Sequence, residues 1–209
     1  MSAADHAAAS RAEEQQAEGH EARYDPDASE SKEKCHLGKQ RACWTDATNP
    51  TNEHKKMARH HRELAAKHRA ASQALVQAET RACGGMSEED RDMSPFAHRD
   101  DILRSTRLVV SETDEEGAPR DHFVGATVVF RATPGMTAEW LQRVVDCHLA
   151  RSAAVGHEMP EMPYCPLVPK GVSAHVHSVG NGFAVDVRSD APDVAAEIWR
   201  RAEALSSTH

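Results

Sequence analysis

Aromatic residues are scarce in this sequence: three Trp, two Tyr and four Phe among 209 residues, 4% of the chain. With hydrophobic residues at 39% overall, the apolar surface falls short of what one globule of this length buries, so part of the chain is expected outside a core. Long apolar runs are missing too, which argues against a membrane span, and no charged-then-apolar leader stands before a small-residue cleavage site. Positive charge is nowhere segregated. At a formal net charge of −8, with Lys and Arg interspersed among carboxylates, the chain lacks the clustered basic surface that nucleic acid requires. Catalytic signatures are absent as well: there is no Gly-rich phosphate loop, no G-x-S-x-G, no H-E-x-x-H and no pair of C-x-x-C motifs. The chain therefore reads as non-catalytic.

Metal-ligand residues are plentiful by contrast. Five cysteines and fourteen histidines supply soft and borderline donors, and the odd cysteine count leaves at least one thiol unpaired.

Residues 1–48 are polar, with an Ala, Glu, Gln and Ser composition over the first thirty-odd positions, and read as a flexible or partly helical tether. Asn49-Pro50 is a helix start, and helix formers run from there to Ala82 before Cys83-Gly84-Gly85 stops them. Met57, His61, Leu64, His68, Ala71, Leu75, Ala78 and Ala82 recur at steps of four and three, an underfilled coiled-coil seam that could recruit a helical partner or a second copy of the chain. An acidic loop then completes the segment 49–101.

From Ile102 the period changes to that of strands. Segments 108–112 and 123–132 flank Asp114-Glu115-Glu116-Gly117 as a hairpin, and a helix over 137–155 buries Trp140, Leu141, Val144, Val145 and Leu149. Segments 172–179 and 183–188 form a second hairpin around Gly180-Asn181-Gly182, and a last helix starts at Pro192. The expected fold is α+β: a long N-terminal helical segment, then a ββαββα two-layer domain over 102–209 resembling a ferredoxin-like split.

Three places could carry chemistry. Strand alternation puts His175 and His177 on one face with Asp186 from the partner strand, a 2-His-1-carboxylate set for a metal ion. A turn at Asn181-Gly182 would oppose His177 to Asp186, and one at Gly180-Asn181 would oppose His175 to Asp186. The linker holding His157, Met159, Met162 and Cys165 gathers imidazole, thioether and thiol groups that suit Cu(I), although methionines in such crossovers also serve as core fillers. Cys147 and His148 lie nearby on the preceding helix, where a Cys147–Cys165 disulfide competes with metal ligation.

Cys35–Cys43 is the second expected disulfide, because a straight helix carries Cys83 beyond the reach of Cys43 and leaves it as the odd thiol. On that helix His54, His61 and His68 lie along one stripe at intervals of seven. They are about 10 Å apart along the axis, so each could give one ligand to a separate site completed by another helix; a solvated polar stripe is the alternative.

The segments Arg81-Ala82-Cys83-Gly84-Gly85 to Ser94-Pro95-Phe96-Ala97-His98-Arg99, and Pro134-Gly135-Met136-Thr137 to Met162-Pro163-Tyr164-Cys165-Pro166-Leu167-Val168-Pro169-Lys170-Gly171, resemble uncharacterised exported, often lipid-anchored bacterial proteins. That resemblance implies export, with residues 1–34 as a spacer from the membrane, and assigns no activity. The sequence expectation is therefore a periplasmic, non-catalytic protein binding copper or zinc. A partner-recruiting helix module and a thiol redox protein are the alternatives.

Overall fold

The computed structural model describes residues 1–37, 41–113 and 117–206. The chain divides into two compact units, one of residues 4–72 and one of residues 73–209 with 1–3.

In the first unit the Ala-rich opening forms helix α1 (Ala3–Glu21), followed by strands β1 (Glu30–Leu37) and β2 (Arg41–Thr48) and the long helix α2 (Asn52–Ala82). Ala, Glu, Gln and Arg are strong helix formers, and Asp5 in the first turn complements the α1 dipole. The Thr51 amide donates to Asn49 Oδ1 at 2.7 Å, and Asn49 Nδ2 donates to the Asp25 carbonyl at 2.7 Å, which ties the entry of α2 to the loop after α1. Residues 1–48, read from composition as a tether, thus contain a helix and a two-stranded antiparallel ribbon.

α1 docks on α2 through small residues. Ser10 and Ala17 of α1 and Ala58 and Ala65 of α2 are buried, and the Ser10 hydroxyl donates to the Ala65 carbonyl at 2.9 Å. Ala and Ser lose almost no rotamer entropy on burial, so a helix with little apolar surface can still dock. The seam lies one position from the expected one: Ala58 and Ala65 are buried while Met57 is 38% exposed. His61 and His68, read as able to meet another helix or a partner, meet α1 of their own chain.

The second unit holds the end of α2, the short helix α3 (Glu88–Asp92), strands β3 (Ile102–Thr113) and β4 (Pro119–Arg131), helix α4 (Ala138–Ala154), strands β5 (Ser173–Val179) and β6 (Gly182–Arg188), and helix α5 (Pro192–Ser206). The sheet order is β3-β4-β6-β5, with every neighbouring pair antiparallel. Of the turn expected at 114–117, residues 114–116 lie outside the described residues.

One sheet face carries Ala126, Val128, Phe130, Val176, Val185 and Val187 into a core closed by Leu141 and Val145 of α4 and by Ile198, Ala202 and Leu205 of α5. Close approach of β4 and β6 requires glycine at Gly182, where an added Cβ would sit 2.0 Å from the Phe130 carbonyl oxygen. β5 is an edge strand, and Gln142 of α4 covers it by accepting from the Val176 amide at 2.6 Å and donating to the Ala174 carbonyl at 3.3 Å.

α4 is buried on more than its sheet-facing stripe, since Val144, Cys147 and His148 are also inside. The segment after α2 covers them: Arg143 donates to the Gly84 carbonyl at 2.9 Å, and Arg151 bonds Asp92 and the Arg91 carbonyl. This arrangement overturns the expected Cys147–Cys165 disulfide. Cys147 bonds Cys83 instead, so Cys83 is not the odd thiol. Cys165 is the free cysteine, buried where the Ser94 hydroxyl lies 3.2 Å from its sulfur. The reach argument excluded Cys43 as a partner for Cys83 but did not bring the end of α2 onto α4, where Cys147 waits. Cys35 is bonded to Cys43 across the ribbon.

Two outcomes test this packing. Replacing Ala65 with Leu forces extra volume between α1 and α2 and is expected to cost about 1–3 kcal/mol in denaturant unfolding. Cys83 and Cys147 are 64 residues apart, so loop-closure entropy predicts a loss of about 4 kcal/mol in the Cys83→Ser/Cys147→Ser double variant. The Cys35–Cys43 bridge, at a separation of 8, is worth only about 2.5 kcal/mol on the same scale.

Candidate metal centre

The interface between α1 and α2 repeats every seven residues on both helices. His6, Glu13 and His20 recur along α1, and His54, His61 and His68 recur along α2. Because the helices run antiparallel, the two sets meet in reverse order. His6 Nδ1 lies 2.9 Å from His68 Nδ1, Glu13 Oε2 lies 2.6 Å from His61 Nδ1, and His20 Nδ1 lies 3.0 Å from His54 Nδ1. The small-residue layers of Ser10, Ala17, Ala58 and Ala65 fall between these polar layers.

The end around His20 is the denser one. The His20 ring stacks on His61 at 5.4 Å between centroids and is tilted against His54 at 5.3 Å, and His60 lies edge-on to His61. Four nitrogen or oxygen ligand residues, Glu13, His20, His54 and His61, therefore share one stretch of interface. Burial, and then the neighbouring His54, His61 and Arg23, hold the His20 imidazole below its ordinary value. A neutral imidazole offers the lone pair that a metal ion needs.

Each imidazole pair brings two nitrogens together, but no three ligand atoms of Glu13, His20, His54 and His61 lie within 4.8 Å of one another. With a Zn–N bond of about 2.0–2.1 Å and tetrahedral angles, two ligating nitrogens stand about 3.3 Å apart. The His6–His68 and His20–His54 pairs need open by only a few tenths of an ångström to reach that spacing.

Among the described residues, one group of three His, Cys, Asp or Glu side chains brings its ligand atoms within 4.8 Å of one another: Glu33, Cys35 and Cys43 on the exposed ribbon. Its two sulfurs are joined as a disulfide.

The C-terminal candidates fare differently. The second hairpin turns at Gly180-Asn181, with Gly180 taking a left-handed φ of 49°, so His175 opposes Asp186 and His177 opposes Ala184. His175, His177 and Asp186 do share a face. His177 Nδ1 is 3.6 Å from Asp186 Oδ2, but His175 stacks on His177 at 6.2 Å between ring centroids, and the Thr127 hydroxyl takes up Asp186 Oδ1 at 2.5 Å. The three do not form a convergent ligand group.

In the linker, Met159 and Met162 are buried in the hydrophobic core. Burial pushes the Cys165 thiol up, which keeps it protonated and a poor ligand. His157 ends α4 in a Schellman motif, its amide donating to Ser152 and the Gly156 amide to Ala153, while its Nδ1 lies 2.9 Å from the Val168 carbonyl. That imidazole holds the loop together. The Cys147 sulfur is spent in its disulfide, and the neighbouring His148 is 2% exposed with Nε2 unpartnered.

The sequence reading saw the stripe on α2 but missed the matching stripe on α1. Its signal was present in the equal seven-residue spacing of His6, Glu13 and His20, once the Ala-rich segment is allowed to be a helix.

Comparison of the chain with protein-family models, with curated proteins and with solved structures finds no match.

Acid sensitivity follows from His20 and His148, both held low, His148 chiefly by burial with hydrogen bonding to the Met93 and Asp90 backbone working the other way. A base whose folded-state value is depressed contributes stability above its unfolded value and loses it as pH falls toward the folded one. Unfolding midpoints are thus expected to drop between about pH 7 and pH 5, and His20→Gln should flatten part of that drop. Arg23, His54 and His61, with Glu13 on His61, are the charged and titratable groups facing His20.

Proposed function

We propose that this protein is a non-catalytic metal-binding protein that holds copper or zinc on imidazoles between α1 and α2. The observation that carries the reading is the meeting of His6 with His68 and of His20 with His54 at 2.9 and 3.0 Å, from two helices whose ligand residues share one seven-residue period. Imidazole suits both metals. Glu13 and His61, bonded to each other at 2.6 Å beside the His20–His54 pair, are the side chains placed to add further ligands. The two disulfides favour an oxidising compartment, and we place the protein in the periplasm or cell envelope on that basis. Among the described residues, no helix is long and apolar enough to cross a membrane. In this reading the C-terminal ββαββα layer, resembling a ferredoxin-like split, is a scaffold, and the face of His175, His177 and Asp186 is at most a weaker secondary site.

Calorimetric titration of the oxidised protein with Zn(II) and Cu(II) tests the proposal. Binding tighter than about micromolar is expected, and His20→Ala/His54→Ala should weaken it by about 10–100-fold while helix content by circular dichroism is kept. His175→Ala/His177→Ala should leave it unchanged. An affinity that follows the second pair and ignores the first would overturn the assignment of the site.

A further inference from the structure

The ribbon of β1 and β2 presents chemistry that the histidine sites do not use. Cys35 opposes Cys43 directly, with Cα atoms 4.1 Å apart, and Glu33 lies two positions earlier on the same strand face, its Oε1 4.0 Å from the Cys35 sulfur. All three residues are exposed. Lys34 and Asp46 project from the opposite face, where they pair at 2.6 Å, so the sulfurs and the Glu33 carboxylate are left together on theirs. The second bridge contrasts with the first. Cys147 is fully buried, and its bond to Cys83 joins the end of α2 to α4 across 64 residues. The ribbon bridge spans only 8 residues, between strands that already pair through eight register positions. A solvent-exposed bridge of that kind is accessible to thiol exchange.

We infer that Cys35 and Cys43, with Glu33, form a redox-gated site for a thiophilic cation, closed as the disulfide and opened by a dithiol reductant. A thiolate of the reductant attacks one sulfur and forms a mixed disulfide, releasing the other cysteine. The reductant's second thiol then displaces the first cysteine and leaves as a cyclic disulfide. Two electrons and two protons pass to the protein, and the cysteines stand as two thiols on one strand face. On binding, both thiols release their protons to solvent, and the cation takes two sulfurs and the Glu33 carboxylate, with water as a fourth ligand. Two thiolates select Cu(I), Zn(II) or Cd(II) over hard cations. None of the described side chains of the ribbon is buried, and a two-stranded hairpin is marginal by itself, so a bound cation would replace the covalent tie that reduction removes.

Cd(II) is the probe, because the ultraviolet sulfur-to-cadmium charge-transfer absorption reports thiolate ligation and is silent for imidazole. The full chain is titrated before and after reduction by a dithiol that is then removed without air. The absorption is expected only after reduction, is lost in Cys35→Ser/Cys43→Ser treated identically, and needs about tenfold more Cd(II) in Glu33→Gln. Persistence of the full signal in Cys35→Ser/Cys43→Ser would assign it to Cys83, Cys147 and Cys165 and overturn the inference. A reduced wild-type chain without the absorption would leave the bridge as a structural staple and overturn it equally. His20→Ala/His54→Ala should keep the absorption, so failure of the imidazole reading and failure of this one are separable.

Discussion

The packing of α1 on α2 depends on the smallness of four side chains. Ser10 and Ala17 on one helix, and Ala58 and Ala65 on the other, bring the two helix surfaces together closely enough for the layers between them to touch. Those layers are polar: an imidazole pair at each end and a carboxylate on an imidazole in the middle. Larger residues at the four positions would push the helices apart and separate every one of these pairs at once. The geometry of these polar pairs is therefore a product of the alanines as much as of the histidines.

Stability in this first unit is distributed unusually. The buried apolar area is small, and around the rim of the helix pair Arg62 reaches Glu21 and Arg69 reaches Glu14, exposed ion pairs of the sort that contribute little each. The second unit is organised differently, around a continuous core of strand and helix side chains. Its long bridge from Cys83 to Cys147 brings the chain after α2 over the second buried side of α4. Cys165, shielded in that core and hydrogen-bonded by Ser94, is kept out of thiol chemistry. The five cysteines thus divide between packing, at Cys165, and two crosslinks, one buried and one exposed on the ribbon.

Much of the second unit was legible in order along the chain. A hairpin around Gly180-Asn181-Gly182, though not its register, the helix starting at Thr137 and the start of α5 at Pro192 rest on local chemistry, namely turn glycines, a hydroxyl that accepts from the Trp140 amide, and a proline without a donor. The face shared by His175, His177 and Asp186 was legible for the same reason, since strand alternation needs no partner. Whether those side chains converge was not legible, because Thr127 of β4 draws Asp186 to itself and that neighbour comes from 59 residues away.

Local periodicity was enough to place α2 and the elements of the second unit and to set His54, His61 and His68 on one stripe, but not to find the β1–β2 ribbon or the buried face of α2, which falls on Ala58 and Ala65. What lies opposite that stripe came from the packing of whole elements. The antiparallel return of α1 sets His6, Glu13 and His20 against that stripe in reverse order, and the fold of the segment after α2 sets Cys83 beside Cys147. A periodic pattern specifies a surface but not its partner. Partners separated by 34 to 64 residues meet through packing of whole elements, which no local spacing encodes.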